Sequence, residues 1–321
     1  MDLYLPPPHL VVAGQRALKT IALADGSLDD SERAFLEATQ HMFRTPVDVD
    51  TLEPISPEEL AATIVSPALR RQLVRGMTVM VAMDGEVRPE ETAMLARLAA
   101  ALDVEAEEIR TFQDFSHGRM THVRFDVARR FWAKEKVIEM AKKNGIGWLI
   151  SSLAALAGVR TDATITGRYR RLGDCPEGSL GRGYFDFIRS NGFSFPGEKG
   201  SPPEVIAFHD LTHVLSGYGT DPVGELQVLS FHAGCRREED DPFGFILFGL
   251  AQFQLGLRLS PIAAQFTGQL DPDLALKALV RGKACKIDPT KGWDPWPEMD
   301  TPLQELRARL GIPPLSEFDA W

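Results

Sequence analysis

Cysteine is scarce in this chain: three in 321 residues, at positions 175, 235 and 285. They are too few and too widely spaced for a disulfide framework or a zinc ribbon, and they fit a reducing compartment. Basic charge is also in deficit, with 35 Lys and Arg against 45 Asp and Glu and a net charge of −10. A nucleic-acid surface needs a concentrated basic face, so that partner is excluded. Long uncharged runs are missing. The two clearest, 146–159 and 242–257, fall short of the ~20 residues a spanning helix needs. The opening Met-Asp-Leu-Tyr-Leu-Pro-Pro-Pro lacks both the basic start of a secretory leader and the Arg-rich character of an import sequence. The expectation is a cytoplasmic protein, with peripheral docking on the inner face of the cell membrane as a further option. The length fits two domains, each able to bury its own core.

What the chain does have is one dense stretch of chemistry. Residues 209–225 read His-Asp-Leu-Thr-His, then eleven residues, then Glu. Residues four apart share a helix face, which stacks His209 over His213. Asp210 lies three residues before His213 and ~100° round from His209, so all three border one stripe. Gly217 suits the left-handed position that closes a helix. Asp221-Pro222 reads as an N-cap and a first-turn proline opening the next helix. So short a connection sets the two helices antiparallel. His213 falls four residues before the closing glycine and Glu225 four after the cap, so they face each other at one height.

Imidazole nitrogen with carboxylate oxygen suits zinc first, with iron or manganese as alternatives. The expected ligands are His209, Asp210, His213 and Glu225, and Glu225 and Asp210 are the expected catalytic carboxylates. A zincin motif fits less well, because it needs Glu where this chain has Asp210. The blander alternative is a pair of core histidines beside a capped turn.

Two further blocks accompany the motif. One is Pro176-Glu-Gly-Ser-Leu-Gly-Arg-Gly-Tyr-Phe-Asp-Phe187; the other comprises Gly282-Lys, Trp293, Pro302-Leu, Leu306-Arg307 and Leu310-Gly-Ile312. Together the three blocks resemble the coenzyme Q biosynthesis protein family, over roughly the C-terminal half. The resemblance implies a mostly helical fold, a metal held by His209, Asp210, His213 and Glu225, and a role in ubiquinone assembly. That role is removal of the carboxyl group and hydroxylation at ring carbon one of a polyprenyl-hydroxybenzoate, besides organising other biosynthetic enzymes. Family members usually lack a long N-terminal region such as this one.

That region contains a duplication. Ala24-Asp-Gly-Ser-Leu-Asp-Asp-Ser-Glu32-Arg-Ala-Phe-Leu36 lines up with Met83-Asp-Gly-Glu-Val-Arg-Pro-Glu-Glu91-Thr-Ala-Met-Leu95 at one offset of 59. In each copy an apolar helix runs into Asp-Gly, and a new helix starts after the turn, a helix-turn-helix unit written twice. The first 115 residues or so resemble the tellurite-resistance TerB-like helical domain. The favoured role of Asp25 and Asp84 is to shape turns, and that of Glu32 and Glu91 is to favour helix N-termini. Cation binding is the alternative. An EF-hand is excluded, because its alternating oxygen ligands are missing.

Between the halves the spacing predicts a basic helix from Arg119 to Lys143, with eight Lys and Arg against Asp126, Glu135 and Glu139, ended by Asn144-Gly145. The uncharged runs 146–159 and 242–257 read either as core helices or as walls of a slot for an isoprenoid tail, with the basic helix against anionic headgroups.

Three residues remain. His232, seven after Glu225, is placed to orient a ligand from behind, or is a satisfied helix histidine. Arg182 offers a planar fork for a substrate carboxylate or phosphate near a helix starting around Ser179. Tyr184 reads as packing, with a substrate contact as the alternative.

The expected fold is all-α, in two helical domains. A duplicated helix-turn-helix bundle (1–115) is joined by the basic connecting helix (116–144) to a metal-binding helical domain (145–321). The expected partners are a prenylated aromatic lipid, a membrane surface, other quinone-biosynthesis enzymes and a second copy of the chain. Two functional accounts fit. In one, the protein is a metal-dependent decarboxylase of a prenylated aromatic acid. In the other, it is a lipid-binding scaffold whose metal clamps two helices and whose N-terminal repeat docks partner enzymes or a stress-response complex.

Overall fold

The computed structural model describes residues 3–130, 133–145, 147, 161–237, 240–259 and 264–318. The apolar run 146–159 lies outside the described residues except for Gly147. Fifteen α-helices are found among the described residues: α1 (Pro8–Ala22), α2 (Asp30–Phe43), α3 (Pro57–Thr63), α4 (Pro67–Met80), α5 (Pro89–Ala101), α6 (Glu107–Ser116), α7 (Met120–Arg130), α8 (Ala133–Asn144), α9 (Ala163–Arg170), α10 (Leu180–Ser190), α11 (Ala207–Ser216), α12 (Pro222–Cys235), α13 (Phe243–Gly249), α14 (Pro272–Lys283) and α15 (Leu303–Leu310). The described residues contain isolated β-bridges but no strand. An all-α chain carries 22 prolines because proline is placed where it does no harm. Six helices begin on one, at the position whose N–H has no intrahelical partner.

The duplicated unit folds as two helix pairs, α1–α2 and α4–α5. In each copy the aspartate of Asp-Gly accepts a backbone N–H two residues on: Ser27 to Asp25 at 3.1 Å and Glu86 to Asp84 at 2.9 Å. In each copy the glutamate reaches back to the N-cap N–H, from Asp29 to Glu32 at 2.8 Å and from Arg88 to Glu91 at 3.3 Å. These are capping-box contacts, which satisfy donors that a helix start otherwise leaves bare. Arg88 then ties the copies together, pairing with Asp84 and reaching Asp25 at 3.5 Å. Turn and cap chemistry thus accounts for the acidic signature.

The connecting segment is described as α7 and α8, on either side of residues 131–132. Its charges are partly spent within the fold. Arg119 pairs with Asp114, and Arg130, only 8% exposed, lies within 3.0–3.6 Å of Glu107, Glu108, Asp126 and Asp241. No helix among the described residues is long and apolar enough to cross a membrane.

The cores do not follow the expected boundary at 115–145. Phe243, Leu247, Leu250, Ala251 and Leu257 join the core of α1–α7. Phe245 and Phe253, from the same segment, pack with Phe208, Leu226 and Leu229 of the other half. A helix apolar all round must be covered on every side, so 242–257 forms the slab between the halves. It carries on from α13 as a π-helical turn, Leu250–Gln254. There the Gln254 amide donates to the Met83 carbonyl at 2.7 Å, which docks the second Asp-Gly turn onto the C-terminal half.

On the other side of the slab, α12 and α14 cross with almost no separation. A Cβ on Gly234 would lie 2.2 Å from the Leu279 carbonyl oxygen, and one on Gly282 would lie 2.1 Å from that of Phe231. Only two glycines allow this contact, and it fixes the helix that carries Glu225.

Candidate metal centre

Helices α11 and α12 form the expected antiparallel hairpin. Gly217 closes α11 at φ 82°, and the Asp221 carboxylate caps α12 by accepting the N–H groups of Val223 and Gly224, both at 3.1 Å. The turn is compact because Gly224 has no side chain; a Cβ there would sit 2.2 Å from the Gly219 carbonyl oxygen. This contact sets the height of the next residue, Glu225.

Three side chains converge. His209 Nε2 and a Glu225 oxygen are 3.0 Å apart, His209 Nε2 and His213 Nε2 are 3.2 Å apart, and His213 Nε2 is 3.4 Å from the second Glu225 oxygen. Four bonds of about 2.0–2.1 Å arranged tetrahedrally need donors roughly 3.3–3.4 Å apart; the His213–Glu225 edge has that length and the other two are a few tenths of an ångström shorter. His213 Nδ1–H donates to the Tyr218 carbonyl at 3.2 Å. That bond places the proton on Nδ1 and leaves the Nε2 lone pair aimed at the other two donors. His213 is also held flat against the Phe187 ring, 5.4 Å centroid to centroid. The donor set fits a divalent metal with two nitrogens and a carboxylate.

The site is closed on one side and open on the other. The His213 side chain is 1% exposed, that of His209 16% and that of Glu225 23%. Burial by itself pushes the Glu225 carboxyl up, but the His209 and His213 imidazoles override it and hold the group well below the usual carboxylate range. Burial pulls His213 down, and the hydrogen bond and charge of Glu225 outweigh it, so its net shift is upward.

Asp210 is not one of the converging donors. His209, His213 and Glu225 have ligand atoms all within 4.8 Å of one another, and Asp210 stands outside that group. The ~100° step from His209 turns it off the shared stripe. Burial pushes its carboxyl up to about 6, with both imidazoles pulling it down and Glu225 adding to the rise. Its charge is felt by His213 and also by Tyr184, whose hydroxyl is raised first by burial and then by Asp210. Tyr184 is fully buried, packs 5.6 Å from the Tyr169 ring, and its hydroxyl has no hydrogen-bond partner among the described residues. It lies in the core, not on the open side.

His232 is fully buried and stacks on His209 at 5.7 Å, with Phe245 on its other face at 4.9 Å. Burial, and then the nearby charges of His209, His213 and Arg236, hold it well below the usual histidine range. It therefore backs His209 as a neutral ring. Arg182 is used differently from the expectation of a substrate contact. Its guanidinium meets both Asp186 oxygens at 3.0 Å and the Gly173 carbonyl at 3.4 Å. An Asp four residues on is within easy reach along a helix, so Asp186 already engages the Nε edge of the guanidinium. Ser179 caps α10 as expected.

The spacing of the motif missed two arginines that hold α11 in place. Arg281, 1% exposed, donates to the Ser216 carbonyl at 2.6 Å and to that of Pro313 at 2.7 Å. Arg307 donates to the carbonyls of Val214 and Leu215 at 2.9 and 2.8 Å. The last carbonyls of a helix have no intrahelical donor, and cationic side chains suit that end. Arg307 lies in one of the blocks picked out from the sequence, but nothing local ties either arginine to a helix 65 or more residues away.

Scanned against protein-family models the chain matches none, and no curated protein matches it.

Proposed function

We propose that the α11–α12 hairpin is a divalent-metal centre, zinc being the first expectation, and that the chain uses it on a prenylated aromatic acid. The reaction is replacement of the ring carboxyl group by hydroxyl. The acid, dioxygen, two electrons and two protons give the phenol, carbon dioxide and water, with the electrons drawn from an external donor. The observation that carries the metal reading is the convergence of His209 Nε2, His213 Nε2 and Glu225 at 3.0–3.4 Å, with the His213 proton held away on Nδ1. The substrate class rests on the three sequence blocks that resemble the coenzyme Q biosynthesis family.

When bound, such an ion supplies Lewis acidity toward a ligand carboxylate. His209, His213 and Glu225 hold it, the exposed edges of His209 and Glu225 face the incoming acid, and buried His213 and His232 exclude water from behind. Asp210, next in the chain to His209, is the candidate proton carrier beside the trio.

The test combines elemental analysis with turnover of a polyprenyl-hydroxybenzoate. Wild type should carry close to one equivalent of metal and form the decarboxylated phenol. Glu225→Gln should lose both while keeping its helical circular dichroism. Turnover that survives loss of the metal overturns the proposal. A metal-loaded protein inert toward the acid overturns the enzymatic part and leaves a structural clamp.

A further inference from the structure

A cavity of about 160 Å³ lies between the halves, walled by α1, α2 and α4 on one side and by α12, α13 and α14 on the other. It is separate from the metal centre and mostly built from the duplicated unit. A volume of this order accommodates a benzene-sized apolar group.

Three features of its wall specify what it takes. The wall is mostly hydrocarbon: of its polar side chains Gln15, Thr39 and Gln72 are engaged within the fold, and Ser230 adds a single hydroxyl. Gln15 donates to Thr39 Oγ1 at 2.6 Å and to the Leu36 carbonyl at 3.3 Å, and Thr39 donates to that carbonyl at 2.8 Å. Gln72 exchanges two bonds with the backbone of Tyr4, at 2.7 and 3.0 Å. Water needs two to four free polar partners, and such a wall does not offer them.

Secondly, the space is kept open by glycine. Gly14 on α1 and Gly76 on α4 both line it, and a Cβ at either would meet its nearest neighbour at 3.6 and 3.9 Å, ordinary contact distances. A methyl group therefore fits at both positions, and glycine weakens a helix interior, so alanine at either would meet no steric clash. Thirdly, Arg75 is the one charged residue on the wall, and its guanidinium lies over the Phe243 ring at 5.8 Å from the centroid. Apart from Arg75 the wall is neutral, which matches an uncharged guest. Leu3 and Pro6 form part of the wall, in a segment fastened by Gln72 and by Lys283, which donates to the Leu3 carbonyl.

We propose that this cavity binds the end of a single uncharged hydrocarbon chain, straight or isoprenoid. The site stands independently of the metal reading, because no donor of the trio lines it.

The test uses N-phenyl-1-naphthylamine, a neutral fluorescent probe, with purified full-length protein, competed by dodecanol and by farnesol. Wild type should bind the probe saturably and release it to one or both alcohols. Displacement by dodecanol alone assigns a straight chain, by farnesol alone an isoprenoid one, and by both the shared chemistry. Gly76→Leu should weaken binding at least ten-fold without lowering Tm. If that variant does not fold, Gly14→Ala should show a smaller loss, about three-fold. Chelator-treated protein should bind as well as untreated protein, which separates this site from the metal centre. Absence of displaceable binding in the wild type, or undiminished binding in the filled variants, overturns the assignment.

Discussion

Glu91 in the duplicated unit and Glu225 on the helix hairpin both sit in the first turn of an α-helix that starts on proline, and the fold drives them to opposite charge states. Burial, the largest influence on Glu91, raises its carboxyl to about 8; the Arg88 N–H bond pulls back, and Asp84 and Glu32 add to the rise. Its twin Glu32 goes to about 7, again by burial first, with Asp29, Asp84 and Asp25 adding. Glu225 faces two imidazoles instead, and they overcome burial. A carboxyl buried without enough cationic charge to offset the loss of water is pushed toward its protonated form, and nearby carboxylates add to that, whereas one facing two histidines keeps its charge for a cation. The N-terminal acids are therefore structural and the hairpin acid is a ligand candidate.

The largest expected effect divides these roles. Glu225→Gln should lower metal affinity by ~100-fold or more, since even outer partners of metal ligands are worth 10–100-fold. Glu91→Gln should leave metal content at the wild-type level, as read by elemental analysis after dialysis. Metal loss from Glu91→Gln would break the comparison.

Next in size is packing. Gly282→Ala places a Cβ 2.1 Å from the Phe231 carbonyl oxygen, which should cost roughly 3 kcal/mol by forcing α12 and α14 apart. Gly14→Ala, with its nearest contact at 3.6 Å, should be neutral or stabilise by up to about 1 kcal/mol. Urea unfolding of the two variants measures the contrast between a helix crossing with no spare room and one with a cavity.

The pH response sharpens the electrostatic contrast. Both Glu32 and Glu91 have folded values above their ordinary 4.5. Between about pH 4.5 and 8 the folded protein thus holds protons that the unfolded chain has released. Their contribution to stability is complete below 4.5 and is lost as the pH rises through about 7 and 8. A Glu32→Gln, Glu91→Gln double variant keeps a side chain able to close the capping box and should flatten the fall in Tm across that window. A variant as steep as wild type would show that these carboxylates are not protonated in the fold.

The smallest effect concerns the caps. Asp221→Ala removes the acceptor for two N–H groups on α12, and Asp29→Ala removes the acceptor for Glu32 N–H on α2. Each should cost about 1 kcal/mol. Only Asp221→Ala should also weaken metal binding, because that cap holds the first turn of the helix that carries Glu225.

Much of this was legible in the order of residues. Caps, closing glycines and first-turn prolines are local devices, so the hairpin at Gly217 and Asp221-Pro222 and the repeated turns at Asp25-Gly26 and Asp84-Gly85 appear where the sequence places them. Helical periodicity brought His209 and His213 onto one face. It did not separate Asp210 from the trio, because a 100° step tells how far a side chain turns but not what it turns toward. Arg182 shows the same limit from another side: its fork reads as free in the sequence, and in the fold Asp186 engages its Nε.

Local order was enough for the helix ends at Gly217 and Asp221-Pro222, for the two Asp-Gly turns and for the shared face of His209 and His213, because each depends on neighbours within a few residues; Glu225 joins from sixteen residues away across the hairpin. The tertiary structure alone decided that 242–257 would bridge the two cores, that Arg281 and Arg307 would cap α11 from far along the chain, and that two glycine-lined helices would leave a cavity. Those outcomes depend on which surfaces meet after collapse, and burial, charge and close packing act between segments that the order of residues leaves far apart.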